Sequence, residues 1–304
     1  MNSQKNNGFE KFALNPNPIE LISVSNGHLY CENVGRKAAI LGRDNGFFEV
    51  WVYPFKIVSQ LQFSVFSPRY QKIIPAEKIA LQLINRPEMT TLIFSHDIFT
   101  IQLHLLTPLN EPGSLLLFDV DTENDLEIYV QFVPELKPMW PAGVGGQYAV
   151  WLEEIHAYLI GEGSRQFYGV IGSLLAEPHS ETPGHQLPDD SMKFAISVNG
   201  ETANRIILPV VITGSMSSKE EAVERYKRFF ESIPDFYQRN FTHYQRLREE
   251  FVSLESGDNE FDLAFEWAKI SLDKGFVESP GLGNGLVAGY GLSGNSYRPG
   301  FAWF

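Results

Sequence analysis

From about Ile19 to Thr213 apolar side chains recur at every second position, and no helical spacing interrupts them. Phe99, Ile101, Leu103 and Leu105 alternate with Thr100, Gln102 and His104. Leu126, Ile128, Val130 and Phe132 alternate with Glu127, Tyr129 and Gln131, and Phe194, Ile196 and Val198 with Lys193, Ala195 and Ser197. Neighbours in an extended chain point to opposite faces, so each run has one core face and one face towards solvent or a second layer. Turn signals such as Arg43-Asp44-Asn45-Gly46 and Asn110-Glu111-Pro112-Gly113 separate the runs. Parallel pairing needs crossover connections, and none is present. The expected architecture is mainly β: a large antiparallel sandwich of two sheets, built from about sixteen strands.

Two segments of this region do not read as strands. The segment 134–147 is a Pro/Gly loop carrying Trp140, which has two readings: a sugar-stacking platform, or a plug for the end of the sandwich. The segment 177–190 is polar, rich in proline and has little to bury, so it reads as a surface loop.

At Ser217 the period changes. Ser218 and Glu221 have the spacing of a capping box, and Ala222, Tyr226, Phe229, Phe230 and Ile233 follow at helical intervals up to Pro234. A second helix is expected from about Asp235 to Leu254, with Phe241, Tyr244, Leu247, Phe251 and Leu254 on one stripe. A third starts at the N-cap Asp258, carries Phe261, Phe265, Ala268 and Leu272 on one face and stops at Gly275. The division that follows is a sandwich over 1–215, a helical linker over 216–256 and the first helix of an all-α domain within 257–304. Too few helices are present to cover the Phe261 stripe.

The stretch 281–304, GLGNGLVAGYGLSGNSYRPGFAWF, is dense in glycine, which disfavours helix and strand alike, so it is expected to be a loop. It ends on an apolar run without a cap or polar tail, and on that basis the chain is expected to be the front part of a longer protein. Arg298 and Tyr297 lie beside this run. Arg298 can present a planar fork to hydroxyls and Trp303 a flat face to a pyranose ring; alternatively Phe301, Trp303 and Phe304 begin a buried element.

The formal net charge of −13 disfavours nucleic acid and anionic membranes as partners but is indifferent to a neutral sugar. One cysteine, Cys31, excludes an internal disulfide framework and a cysteine zinc site. No apolar run approaches the roughly 20 residues that span a bilayer. The polar N-terminus lacks a signal-peptide core, so the chain reads as cytoplasmic. No cofactor is expected. Gly283-Asn-Gly285-Leu-Val-Ala288 fits a dinucleotide fingerprint only in letters, because a helix rather than a strand precedes it. His179, His185, Asp189 and Asp190 lack convergent metal-ligand spacing. The pair Glu153-Glu154, read as neighbours on a strand, points to opposite faces and cannot flank one glycosidic bond.

The succession Trp267-Ala-Lys, Gly281-Leu-Gly-Asn-Gly-Leu-Val-Ala-Gly-Tyr290, Ser293-Gly and Arg298-Pro-Gly-Phe-Ala-Trp-Phe304 resembles bacterial glycogen-debranching, amylo-α-1,6-glucosidase-like glycoside hydrolases of the six-hairpin α/α-barrel group. The likeness extends to Phe48-Glu-Val-Trp-Val-Tyr-Pro-Phe-Lys56 and Trp140-Pro-Ala-Gly-Val-Gly-Gly146. It implies a β-supersandwich, linker helices and the first helix of a truncated (α/α)6 barrel. It also implies that the final run leads into Phe-Gly-Arg-Asp, and that the catalytic carboxylates lie downstream of Phe304. The substrate-binding residues within the chain would then be Arg298, Trp303, Tyr297 and Trp140, and the partners an oligosaccharide or polysaccharide and the remaining barrel segment. Three functions follow: the N-terminal part of a glycoside hydrolase, catalytically incomplete alone; a stand-alone carbohydrate-binding sandwich; or a structural domain completed by a separately encoded barrel.

Overall fold

A computed structural model of the chain describes residues 8–138, 146–162, 166–179, 190–281 and 283–287. Two antiparallel sheets face each other, as the alternation predicts. The ten-stranded sheet runs in the order Gln147–Leu152, Ala157–Glu162, Phe167–Gly172, Ile206–Ser215, Gly113–Asp121, Phe99–Leu106, Thr90–His96, Ala80–Asn85, Leu21–Val24, with Phe9–Glu10 added to Ile206–Ser215. The eight-stranded sheet runs Ala176–Pro178, Met192–Val198, Leu126–Pro138, Phe55–Ser67, Phe47–Val52, Ala38–Arg43, Tyr30–Val34, with Lys72–Pro75 on Phe55–Ser67.

One apolar core fills the space between them. Phe63 of the eight-stranded sheet meets Phe94 and Phe118 of the other edge-on, with centroids 4.9 and 5.1 Å apart. That is the preferred geometry for aromatic quadrupoles. Phe99, Ile101, Leu103 and Leu105 all point into this core.

Both outer faces carry a further layer. Helices α1 (Lys219–Glu231) and α2 (Ile233–Glu250) cover the ten-stranded sheet, burying Tyr226, Phe229, Phe236 and Tyr237 against Leu115, Leu117, Val170 and Val211. This layer explains why His104, on the face opposite Leu103, is also buried. Burial, then the charges of Arg86 and Lys11, pushes its imidazole down to about 4, and its Nδ1 lies 2.9 Å from the Thr91 hydroxyl.

The helix limits follow their caps. The Ser218 hydroxyl accepts from the Glu221 amide at 3.1 Å. The expected return bond is rerouted: Ser215 Oγ accepts from the Ser217 and Ser218 amides and donates to the Glu221 carboxylate. Pro234 sits in the first turn of α2, where a missing N–H is harmless. The second helix ends at Glu250 rather than Leu254, leaving Phe251 extended and exposed. In α3 (Asn259–Lys274) Asp258 Oδ1 accepts from the Glu260 and Phe261 amides at 3.0 and 3.2 Å, and Gly275 follows as the C-cap.

The third helix is apolar on two sides. Leu263, Trp267 and Ile270 pack on Ile19 and on Tyr244 of α2. The stripe read from the sequence points away, with Phe261 59% and Leu272 67% exposed. Polar contacts pin its end to the sandwich and to α2: Asp273 pairs with Arg36 at 3.3 Å and lies 2.8 Å from His243 Nε2. Burial alone would raise the Asp273 carboxyl, but these two partners outweigh it and hold it below the usual range.

Three expectations are corrected. The segment 134–147 is not wholly loop: the strand Leu126–Pro138 continues through Pro134, with register shifts on either side that accommodate it. Glu177 and Pro178, likewise read as loop, form the edge strand with Ala176. Glu153 and Glu154 lie in a short 3-10 turn and not on a strand.

Candidate functional site

The outer face of the eight-stranded sheet carries the segment Phe48 to Lys56. Phe48, Val50 and Val52 enter the core, so Glu49, Trp51 and Tyr53 face outwards. A buried charge cluster stiffens this face. Lys56 Nζ lies 3.5 Å from Glu49 and 3.4 Å from Glu135, and 5.3 Å from the Trp51 ring centre. The Trp51 indole N–H donates to Glu49 at 2.9 Å.

A two-stranded hairpin, Phe276–Ser279 against Gly283–Leu286, lies on that face. Val277 and Val287 pack with Val34, Ala39, Leu41, Trp51 and Tyr53. The Glu278 amide donates to the Arg36 carbonyl at 2.7 Å, the Val287 amide to the Gly275 carbonyl at 2.8 Å, and Lys37 pairs with Glu278 at 3.7 Å. The start of the glycine-dense stretch is therefore strand and not loop. A ladder is made by backbone groups alone, and the positive φ of Gly281 (79°) and Gly283 (103°) makes the tight reversal that L side chains disfavour.

Between this hairpin, the 110–112 turn and the start of α1 lies a cleft of about 560 Å³. Its walls are charged and braced. Arg225 donates to the Gly214 carbonyl at 2.7 Å and to Glu221 at 2.6 Å, and Arg228 to Glu111 at 2.6 Å. The Ser215 hydroxyl, with smaller contributions from the Ser217 hydroxyl and Arg225, outweighs the opposing effect of burial and holds the Glu221 carboxyl below its usual range. Tyr53 and Phe55 form the floor, too buried to offer a stacking face. Such a cleft can hydrogen-bond hydroxyls through planar charged groups. It is poorly suited to proton donation, because a general acid needs a raised pKa. Among the described residues the carboxyls raised by burial are Glu32 and Glu88, which lie at the α3 junction and not in this cleft.

Trp140, Tyr297, Arg298 and Trp303 lie outside the described residues, as do His185 and Asp189. His179 stacks on Tyr129, with centroids 4.6 Å apart. Among the described residues no group of three or more His, Cys, Asp or Glu is placed to hold a metal ion. Nor is any helix among them long and apolar enough to cross a membrane. The residues that sequence reading missed are Arg225 and Arg228, hidden on the polar side of an amphipathic helix. Glu221 was legible only as a capping residue.

No protein-family model matches the chain, and no curated protein matches it. Solved structures do. A bacterial glucoamylase complexed with acarbose matches with a TM-score of 0.56 at 11% identity, over 88% of this chain and 44% of that one. A protein described as a kojibiose phosphorylase from human microbiome matches with a TM-score of 0.55 at 9% identity, over 88% of this chain and 43% of that one. The chain thus spans less than half the length of the structures it matches. At these identities the likeness is one of fold: this chain shares the sandwich-and-helix architecture found in a glucoamylase.

Proposed function

We propose that these 304 residues are the sandwich and leading helices of a glycoside hydrolase acting on α-glucans or related α-glycosides, of the glycogen-debranching type. The observation that carries this reading is α3. A helix with apolar residues on two of its sides has two surfaces to cover, and here one packs on Tyr244 while Phe261 and Leu272 on the other stand in solvent. The glucoamylase match, which leaves more than half of that protein without a counterpart, supports the same reading. On it, the catalytic carboxylates lie outside 1–304, the barrel segment covers Phe261 to Leu272, and the hairpin seated on Trp51 and Tyr53 delivers Tyr297, Arg298 and Trp303 to the barrel mouth. Trp140 would add a sugar contact, and the protein would work in the cytoplasm.

A second reading, a carbohydrate-binding module without catalysis, is favoured by the braced cleft of Arg225, Arg228 and Glu221. The coding sequence after the codon for Phe304 separates the readings. An open frame continuing with Phe-Gly-Arg-Asp supports the hydrolase. A stop codon with no helical partner gene supports the module.

A further inference from the structure

We propose that a second cleft, between α2 and the 108–111 segment, binds a phosphate-bearing small molecule through Arg239, His243 and Arg246. The cleft holds about 380 Å³, within the size range of small-molecule sites. It shares Asn110 and Glu111 with the cleft braced by Arg225, and its other lining residues are different.

The three basic residues fall at i, i+4 and i+7 of α2, on one stripe of the helix facing this hollow. In a chain of net charge −13, two arginines and a histidine thus line one hollow. His243 is offset by Asp273 at 2.8 Å, and Arg246 by Glu250 at 3.0 Å in an exposed pair. Arg239 makes no ion pair among the described residues and is exposed. The carboxylate in the lining, Glu111, is engaged by Arg228 at 2.6 Å. Asn240 is committed elsewhere: its Nδ2 donates to the Thr107 carbonyl at 2.9 Å and its Oδ1 accepts from the Leu109 amide at 3.0 Å. Those bonds fix the helix against the 107–109 backbone, so the stripe and the opposite wall are held at a set separation.

A guanidinium fork matches two phosphate oxygens, and a second arginine with an imidazole suits a dianion better than a monocarboxylate. A neutral sugar would make no use of the positive charge of Arg239, whereas a phosphate oxygen would. A nucleic acid would meet the repulsion of the whole chain. The phosphate is therefore that of a small molecule, either inorganic phosphate or a sugar phosphate monoester.

The test is calorimetric titration of the full chain with inorganic phosphate and with glucose 6-phosphate, against chloride at matched ionic strength. Saturable binding is expected, weakened at least about tenfold in Arg239→Gln through loss of a charge-assisted contact. Arg239 is exposed and unpaired, so the variant should keep the wild-type circular dichroism spectrum. A tighter monoester assigns the site to a sugar phosphate, and equal or tighter inorganic phosphate assigns it to the free ion. Absence of saturable heat with either probe, or unchanged affinity in Arg239→Gln, overturns the proposal.

Discussion

The ring of Phe229 lies so close to the backbone of Gly113 that a Cβ on Gly113 would stand 2.7 Å from Cζ of the ring. Helix α1 thus rests directly on the start of the strand Gly113–Asp121, and the sheet and helix share one core. Gly113→Ala should overpack this contact and destabilise the protein by about 1–3 kcal/mol, and Phe229→Ala by about 3–5 kcal/mol. Urea unfolding followed by tyrosine fluorescence and by circular dichroism measures both. Coincident transitions are expected, and a separate early loss of helix would contradict the shared core.

The cluster around Lys56 makes a sharper demand. Lys56→Ala leaves Glu49 and Glu135 buried without their common cation, and removing one member of a buried ion cluster is expected to destabilise by roughly 3–5 kcal/mol. Because Trp51 is bonded to Glu49 and supports the hairpin, proteolysis within 276–287 should accelerate in the same variant. A change below about 1 kcal/mol would mean the charges are solvated in solution.

His104 supplies a pH dependence whose sign is fixed by its depressed pKa. The unfolded imidazole takes up a proton near 6.5, the folded one only near about 4. Its contribution is complete above the unfolded value and is lost as pH falls from there through about 4, at most roughly 3 kcal/mol. Stability measured between pH 7 and 4 should decline less steeply in His104→Gln than in wild type. Parallel profiles would show that His104 is not the group responsible.

Much of the fold was legible because it rests on local patterns. The alternation at Phe99 to Leu105 and the caps Ser218, Asp258 and Gly275 are short-range signals, and each sits where its spacing puts it. What escaped depends on partners far away in sequence. Gly283 to Leu286 looks structureless until Phe276 to Ser279 offers it a backbone ladder. The inner face of α3 is recognisable only once Tyr244 and Ile19 are seen beneath it. Of the cleft, the floor at Tyr53 and Phe55 lies in a segment the sequence had marked. The arginines did not stand out, because a charged residue on a helix surface has the same local signature whether or not a cleft faces it.

The exposed side of α3 gives a fourth prediction. Phe261→Ser and Leu272→Ser should each change the stability of these 304 residues by less than about 0.5 kcal/mol, since neither side chain loses much packing. The same substitutions should impair a longer protein that places helices on this stripe. A loss above about 2 kcal/mol in the 304-residue chain would show the stripe to be packed already.

The most direct test of the hydrolase reading is an activity comparison on maltose, isomaltose, glycogen and an aryl α-glucoside. The 304-residue chain is expected to release no glucose, because a positioned acid and base contribute roughly 10²–10⁴-fold and are proposed to lie elsewhere. The product of the reading frame extended beyond Phe304 is expected to hydrolyse at least one of these substrates. Turnover by the 304-residue chain that a single carboxylate substitution within it abolishes would contradict the account.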